Sequence, residues 1–158
     1  MTKKSPKTRD YFAEMYVAGI LADTGWNIYF PKRDKGFDFI ITKETQNGLV
    51  IRPVQVKGKY PEKRKTDKNY YGFTGKLTQI HKEMALVIPF FSTDQSTSSP
   101  DAIAFMPFSQ IKETPKGHKC HPTSFQNGKA VERRDFKKFF GMSGIKLMES
   151  PDWKDEQL

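Results

Sequence analysis

Two carboxylates, an amide and a lysine occupy positions in this sequence from which they can meet. Asp38 lies at the start of the apolar run Gly36-Phe37-Asp38-Phe39-Ile40-Ile41, and Gln55 and Lys57 stand two residues apart in Val54-Gln55-Val56-Lys57-Gly58. Glu14 precedes them, with Tyr11, Val17, Ala18 and Leu21 as its neighbours at helical spacing and Asp10 four residues back. Burying a carboxylate without a cation is costly, so an inward Glu14 and Asp38 both ask for a metal ion or a lysine. With the amide oxygen of Gln55 they make a set of hard oxygen ligands suited to Mg²⁺, which keeps several waters and takes further oxygens from a phosphate. The backbone carbonyl of Val56 would add another. Such an ion activates an attacking water and offsets charge on a phosphodiester, while Lys57 would orient that water or stabilise the charge developing in the transition state.

The elements needed to position these groups are legible in outline. Ser5-Pro6 reads as an N-cap followed by proline at the first helical position, which predicts a helix running to about Asp23 before Gly25 stops it. Strands are predicted over Trp26 to Pro31, Gly36 to Thr42 and Leu49 to Lys57, and Asn47-Gly48 between the last two predicts a tight antiparallel hairpin. Alternation then puts Ile51, Pro53, Gln55 and Lys57 on one face of their strand and Val50, Val54 and Val56 on the other. In the preceding strand it separates Asp38 and Ile40 from Phe37, Phe39 and Ile41. A short helix is expected over Leu77 to Glu83, buried strands over Met84 to Phe91 and Ala102 to Met106, and a surface loop between them. Beyond Thr114 the pattern thins, with a helix expected over Arg134 to Phe140 and a frayed tail from Ser150. The fold class expected is α/β: a mixed central sheet with flanking helices, in one domain over 1–158, with a core at about 8–110 and a C-terminal extension at 111–158.

Composition narrows the partners. The 158 residues carry 27 Lys and Arg against 18 Asp and Glu, a net charge of +9, which suits a polyanionic partner. A lone cysteine, Cys120, excludes an intrachain disulfide framework and fits a reducing compartment. No apolar run approaches membrane-spanning length and no signal-peptide pattern opens the chain. The expectation is a soluble cytoplasmic protein without a membrane partner.

The order helix with Glu14, then Gly25-Trp26, Gly36-Phe37-Asp38 and Gln55-Val56-Lys57 resembles the PD-(D/E)xK nuclease superfamily over roughly residues 8 to 91. Glutamine replaces the usual acidic residue of the last motif, a variant similar to the Q-x-K subset of Mrr-type restriction enzymes and of a group I intron homing endonuclease of this fold. Holliday-junction resolvase-like members share the helix-Glu and Gly-x-Asp layout. The resemblance implies a restriction-endonuclease-like core of helix, three-strand meander, helix and strand around a Mg²⁺-dependent DNA cleavage site, with Mn²⁺ as a substitute ion. Glu14, Asp38, Gln55 and Lys57 would be catalytic, with Glu14, Asp38, Gln55 and Val56 at the metal. Cutting both strands of double-stranded DNA with one site per chain favours a homodimer or homotetramer. A homing or restriction-type endonuclease is the first expectation and a junction resolvase the second. A non-catalytic nucleic-acid-binding module of the same fold is the alternative from another class.

Candidate nucleic-acid contacts are Lys59, Lys63, Arg64, Lys65 and Lys68 with Tyr70 and Tyr71, since cations meet phosphates and aromatic faces meet bases. Arg133 and Arg134, with Lys137 and Lys138, are a second candidate surface, for which a merely solvated helix face is the preferred reading. His118-Lys119-Cys120-His121 lacks a second ligand pair at zinc-site spacing and reads as a solvated loop, and His81 as a helix-surface or core histidine.

Overall fold

The computed structural model describes residues 6–33, 36–60, 72–92, 98–127 and 129–158. Helix α1, Pro6–Asp23, buries Ala13, Val17, Ala18 and Leu21 along one stripe, the pattern of a helix with a single face against a core. Tyr11, expected on that stripe, is instead exposed. Three antiparallel strands follow: β1 (Asn27–Tyr29), β2 (Phe39–Thr45) and β3 (Gly48–Val56). The β2–β3 turn is centred on Gln46 and Asn47, and Gly48 directly after it has φ +100°, a conformation open to glycine at little cost. The Thr45 hydroxyl closes the turn by donating to the Gly48 carbonyl at 2.9 Å.

After a short strand β4 (Phe73–Gly75), β5 (Ala85–Phe90) pairs in parallel with β3, and β6 (Ala102–Pro107) pairs antiparallel with β5. The result is a mixed five-stranded sheet in the order β1-β2-β3-β5-β6, so the chain is α/β. Every residue of β5 is buried, as expected of a central strand covered on both faces. Pro53 lies one residue before the β3–β5 pairing begins at Val54 and Ala85, so its missing N–H leaves no gap in that ladder.

The chain beyond residue 111 is more structured than its sequence suggests. Strands β7 (Lys112–Thr114) and β8 (Gly117–Cys120) form a three-stranded sheet with β4, in the order β4-β8-β7, and β9 (Thr123–Gln126) and β10 (Lys129–Glu132) form a hairpin. His118 to Cys120 is therefore strand rather than loop, with Cys120 buried against the core. The segment expected to be a helix at Arg134 is a 3-10 helix, Arg134–Phe139, followed by α2 (Gly141–Leu147). Phe136, Phe139, Phe140, Ile145, Met148 and Trp153 all join the hydrophobic core that includes the five-stranded sheet. The tail is not frayed at Trp153: this side chain is fully buried and its indole N–H donates to the Met84 carbonyl at 2.9 Å.

The helix expected over Leu77 to Glu83 does not form. Leu77 is buried and its N–H donates to His118 Nδ1 at 3.1 Å, while Glu83 is drawn to the Arg52 guanidinium, so both ends are held by tertiary partners. Thr78 and Ile80 add little helical preference of their own. Arg52, buried within β3, also donates to the Met148 carbonyl at 2.9 Å and the Ser150 carbonyl at 2.8 Å, tying the C-terminal segment to the sheet.

Candidate active site at the end of β3

The β2–β3 register pairs Phe39 with Val54 and Ile41 with Arg52, so Asp38 falls opposite Gln55 on the same face. The last backbone hydrogen bond of this ladder is Asp38 N–H to the Val54 carbonyl at 2.9 Å. Gly36, at φ +97°, turns the chain away from the ladder; Gln79 occupies the space a side chain would need there. The Asp38 carboxylate takes the place of the next backbone acceptor. Its Oδ2 accepts the Val56 N–H at 2.6 Å and the Gln55 Nε2 at 3.0 Å. Charge-assisted bonds of this kind are short and hold their partners firmly.

That arrangement settles which way the Gln55 amide points. Its nitrogen faces the carboxylate, and its Oε1 is buried with no hydrogen-bond partner among the described residues. Gln55 as a whole is 6% exposed. A buried amide oxygen without a donor is costly, and it is an oxygen of the type a divalent cation takes. Asp38, Gln55 and the backbone of Val56 are thus brought together. The sequence pointed to the carbonyl of Val56; the group that meets Asp38 is its N–H. Among the described residues no three His, Cys, Asp or Glu side chains gather as for a metal. The expected set holds two carboxylates, with an amide and a carbonyl completing it.

Lys57 leaves the end of β3 with its N–H on the Val87 carbonyl at 2.9 Å. Its ammonium lies 5.9 Å from the Phe73 ring centre and makes no ion pair with a described residue. Glu14 is half-buried on α1. Its neighbour Ala13 packs so closely on the chain after Lys57 that a Cβ at Gly58 would lie 3.1 Å from the Ala13 Cβ, so this turn of α1 borders the end of β3. Tyr60 fastens the N-terminal part of α1 there: it stacks on Phe91 at 4.5 Å, lies 4.5 Å beneath the Arg9 guanidinium and donates to the Arg9 carbonyl at 2.9 Å.

Of the candidate nucleic-acid contacts, Lys63, Arg64, Lys65, Lys68, Tyr70 and Tyr71 lie outside the described residues. Lys59 continues the parallel ladder beside β5, its N–H on the Pro89 carbonyl at 2.8 Å. Arg133 donates to the His121 carbonyl at 3.0 Å and lies 5.1 Å from the Phe136 ring centre; Arg134 is exposed at the start of the following 3-10 helix. His81 is exposed in a turn, not on a helix, and its Nδ1 accepts the Glu83 N–H at 3.0 Å. Among the described residues no helix is long and apolar enough to cross a membrane. No family model, curated protein or solved structure matches the chain, so the site rests on its own geometry.

Proposed function

We propose that this protein is a Mg²⁺-dependent endodeoxyribonuclease of the PD-(D/E)xK type in its Q-x-K form, built on a restriction-endonuclease-like core. The observation that carries the reading is the buried Oε1 of Gln55, without a hydrogen-bond partner among the described residues, beside the Asp38 carboxylate. Asp38, Gln55, Glu14 and the carbonyl of Val56 would hold Mg²⁺, with Mn²⁺ able to replace it; when bound, the ion supplies an activated water and offsets phosphate charge. Gln55 keeps Asp38 oriented through its Nε2 while leaving Oε1 available. The Val56 N–H holds the same carboxylate oxygen, so the acid cannot swing away. Lys57 brings a cation unclaimed by any described carboxylate to the end of β3, where it would stabilise charge developing on a phosphate. The net charge of +9 suits double-stranded DNA as substrate.

Within this class we favour a site-specific homing or restriction-type enzyme over a junction resolvase, acting as a homodimer or homotetramer. The alternative, a nucleic-acid-binding module without turnover, draws on the two hydrogen bonds that Asp38 Oδ2 already accepts. The deciding test is incubation of supercoiled plasmid and a panel of long duplexes, junctions and single strands with Mg²⁺ or Mn²⁺, with EDTA as control. Metal-dependent nicking or cutting supports the enzyme. Survival of the whole panel in both metals removes it.

A further inference from the structure

Beside the candidate site, the sheet β4-β8-β7 turns one face outward. Its register puts Thr74 opposite Lys119 and Lys119 opposite Lys112, a row of three exposed side chains. The alternate residues face the core: Phe73 and Cys120 are buried as a pair. Lys112 and Lys119 therefore stand directly across an antiparallel pair with Cβ atoms about 5 Å apart, an arrangement in which like charges destabilise a sheet. Neither forms an ion pair with a described residue. Glu113, between them in sequence, pairs with His118 on the other face.

His121 extends this outward row. Its Nε2 lies 2.9 Å from the Thr74 hydroxyl, and Arg133 reaches its carbonyl. Burial lowers the His121 pKa first, and Lys119, Lys59, Arg133 and Lys112 each lower it further, so four cations lie within electrostatic reach of one imidazole. Lys59 is two residues beyond Lys57, which links these cations to the end of β3, while Lys57 itself lies near the inward-facing Phe73 of β4. No exposed large apolar side chain lies on β4, β7 or β8, which disfavours a membrane surface, where such anchors accompany basic residues.

We propose that the outer face of β4-β8-β7, with Lys59 and Arg133 at its margin, is a sequence-independent docking surface for the phosphate backbone of duplex DNA leading to the candidate site. It rests on the nucleic-acid part of the function proposed above, but not on cleavage. Phosphates would relieve the repulsion between Lys112 and Lys119, giving a role to a pair that stability alone disfavours.

The test is anisotropy of a short labelled duplex of arbitrary sequence, titrated with the full chain in EDTA over a salt series. Each phosphate neutralised contributes about 0.9 to the log–log salt slope. The double variant Lys112→Ala, Lys119→Ala is expected to flatten the slope by about 1.8 and to weaken binding at low salt, and Lys112→Glu, Lys119→Glu to weaken it further. Lys82→Ala with Lys146→Ala, both exposed near the Arg52 and Glu83 end of the sheet, is expected to match wild type. Thermal melting of the alanine pair should be unchanged or higher, which separates lost binding from lost fold. The proposal is overturned if the Lys112, Lys119 variant keeps the wild-type slope and affinity, if wild type does not bind the duplex, or if the variant loses binding to phosphatidylserine vesicles alone. Binding as expected with no cleavage would remove only the enzymatic reading.

Discussion

Replacing Gln55 by glutamate introduces the acidic residue that the proposed nuclease reading would expect at this position and probes the site with little change of shape. Gln55 Nε2 donates to Asp38 Oδ2 at 3.0 Å, so Gln55→Glu sets two carboxylates against each other at that distance in a position 6% exposed. Two like charges at this separation repel by roughly 5 kcal/mol at the effective dielectric of a partly shielded site. Protonating the new glutamic acid avoids the repulsion, and lifting a pKa of about 4.3 to neutrality costs about 4 kcal/mol. The cheaper route sets the magnitude, so the variant should lose about 4 kcal/mol at pH 7, or roughly 8 to 16 °C in melting temperature for a chain of this length. The sign in pH follows from a folded pKa raised above the unfolded one: the loss shrinks by about 1.4 kcal/mol for each unit of acidification, vanishing near the unfolded value. A divalent cation between the carboxylates should reverse it, by about 2.7 kcal/mol at a hundredfold excess over its dissociation constant. The assay is thermal unfolding in EDTA and in Mg²⁺ at matched ionic strength. A variant as stable as wild type in EDTA would show that Gln55 does not face Asp38, and one destabilised but indifferent to Mg²⁺ would show that no metal sits between them.

Cys120 is buried and its thiol is pushed up to about 12 by desolvation; a thiol-specific reagent should label it only as fast as the protein opens, and rapid labelling of folded protein would contradict its placement. His121, with its pKa lowered, contributes stability that is full above its ordinary value of about 6.5 and is lost as pH falls through the lowered folded value; His121→Gln should flatten the melting temperature against pH in that window. Arg52→Met strands the Met148 and Ser150 carbonyls and the Glu83 carboxylate, so unfolding should show a loss of roughly 3 kcal/mol, and a loss under about 1 would mean the C-terminal segment is held by packing alone.

What could be read in advance was what strand alternation controls. A period of two, with the hairpin signal at Asn47-Gly48, sufficed to put Asp38 and Gln55 on one face, because a slip of one residue would have buried Ile40 and Ile51 and exposed Phe39 and Val54. The rest depended on partners distant in sequence. Strands of three or four residues such as Lys112–Thr114 and Gly117–Cys120 carry too few alternations to stand out. Trp153 is anchored by the Met84 carbonyl, 69 residues away, which no local pattern reports. The Lys112 and Lys119 pair had a local signal only in hindsight: both become neighbours once β7 and β8 are recognised as a hairpin. The orientation of the Gln55 amide needed the Asp38 contact itself.

The measurement that bears most directly on the account is a paired assay of cleavage in Mg²⁺ and duplex affinity in EDTA for wild type, Asp38→Asn and Lys57→Ala, with circular dichroism to verify folding. Asp38→Asn retains an acceptor for the Val56 N–H but removes the charge, so cutting should collapse while metal-free affinity holds or rises, a repulsion with phosphate having been removed. Lys57→Ala should abolish cutting and weaken binding modestly. A folded Asp38→Asn protein that cuts at the wild-type rate would contradict the site at the end of β3.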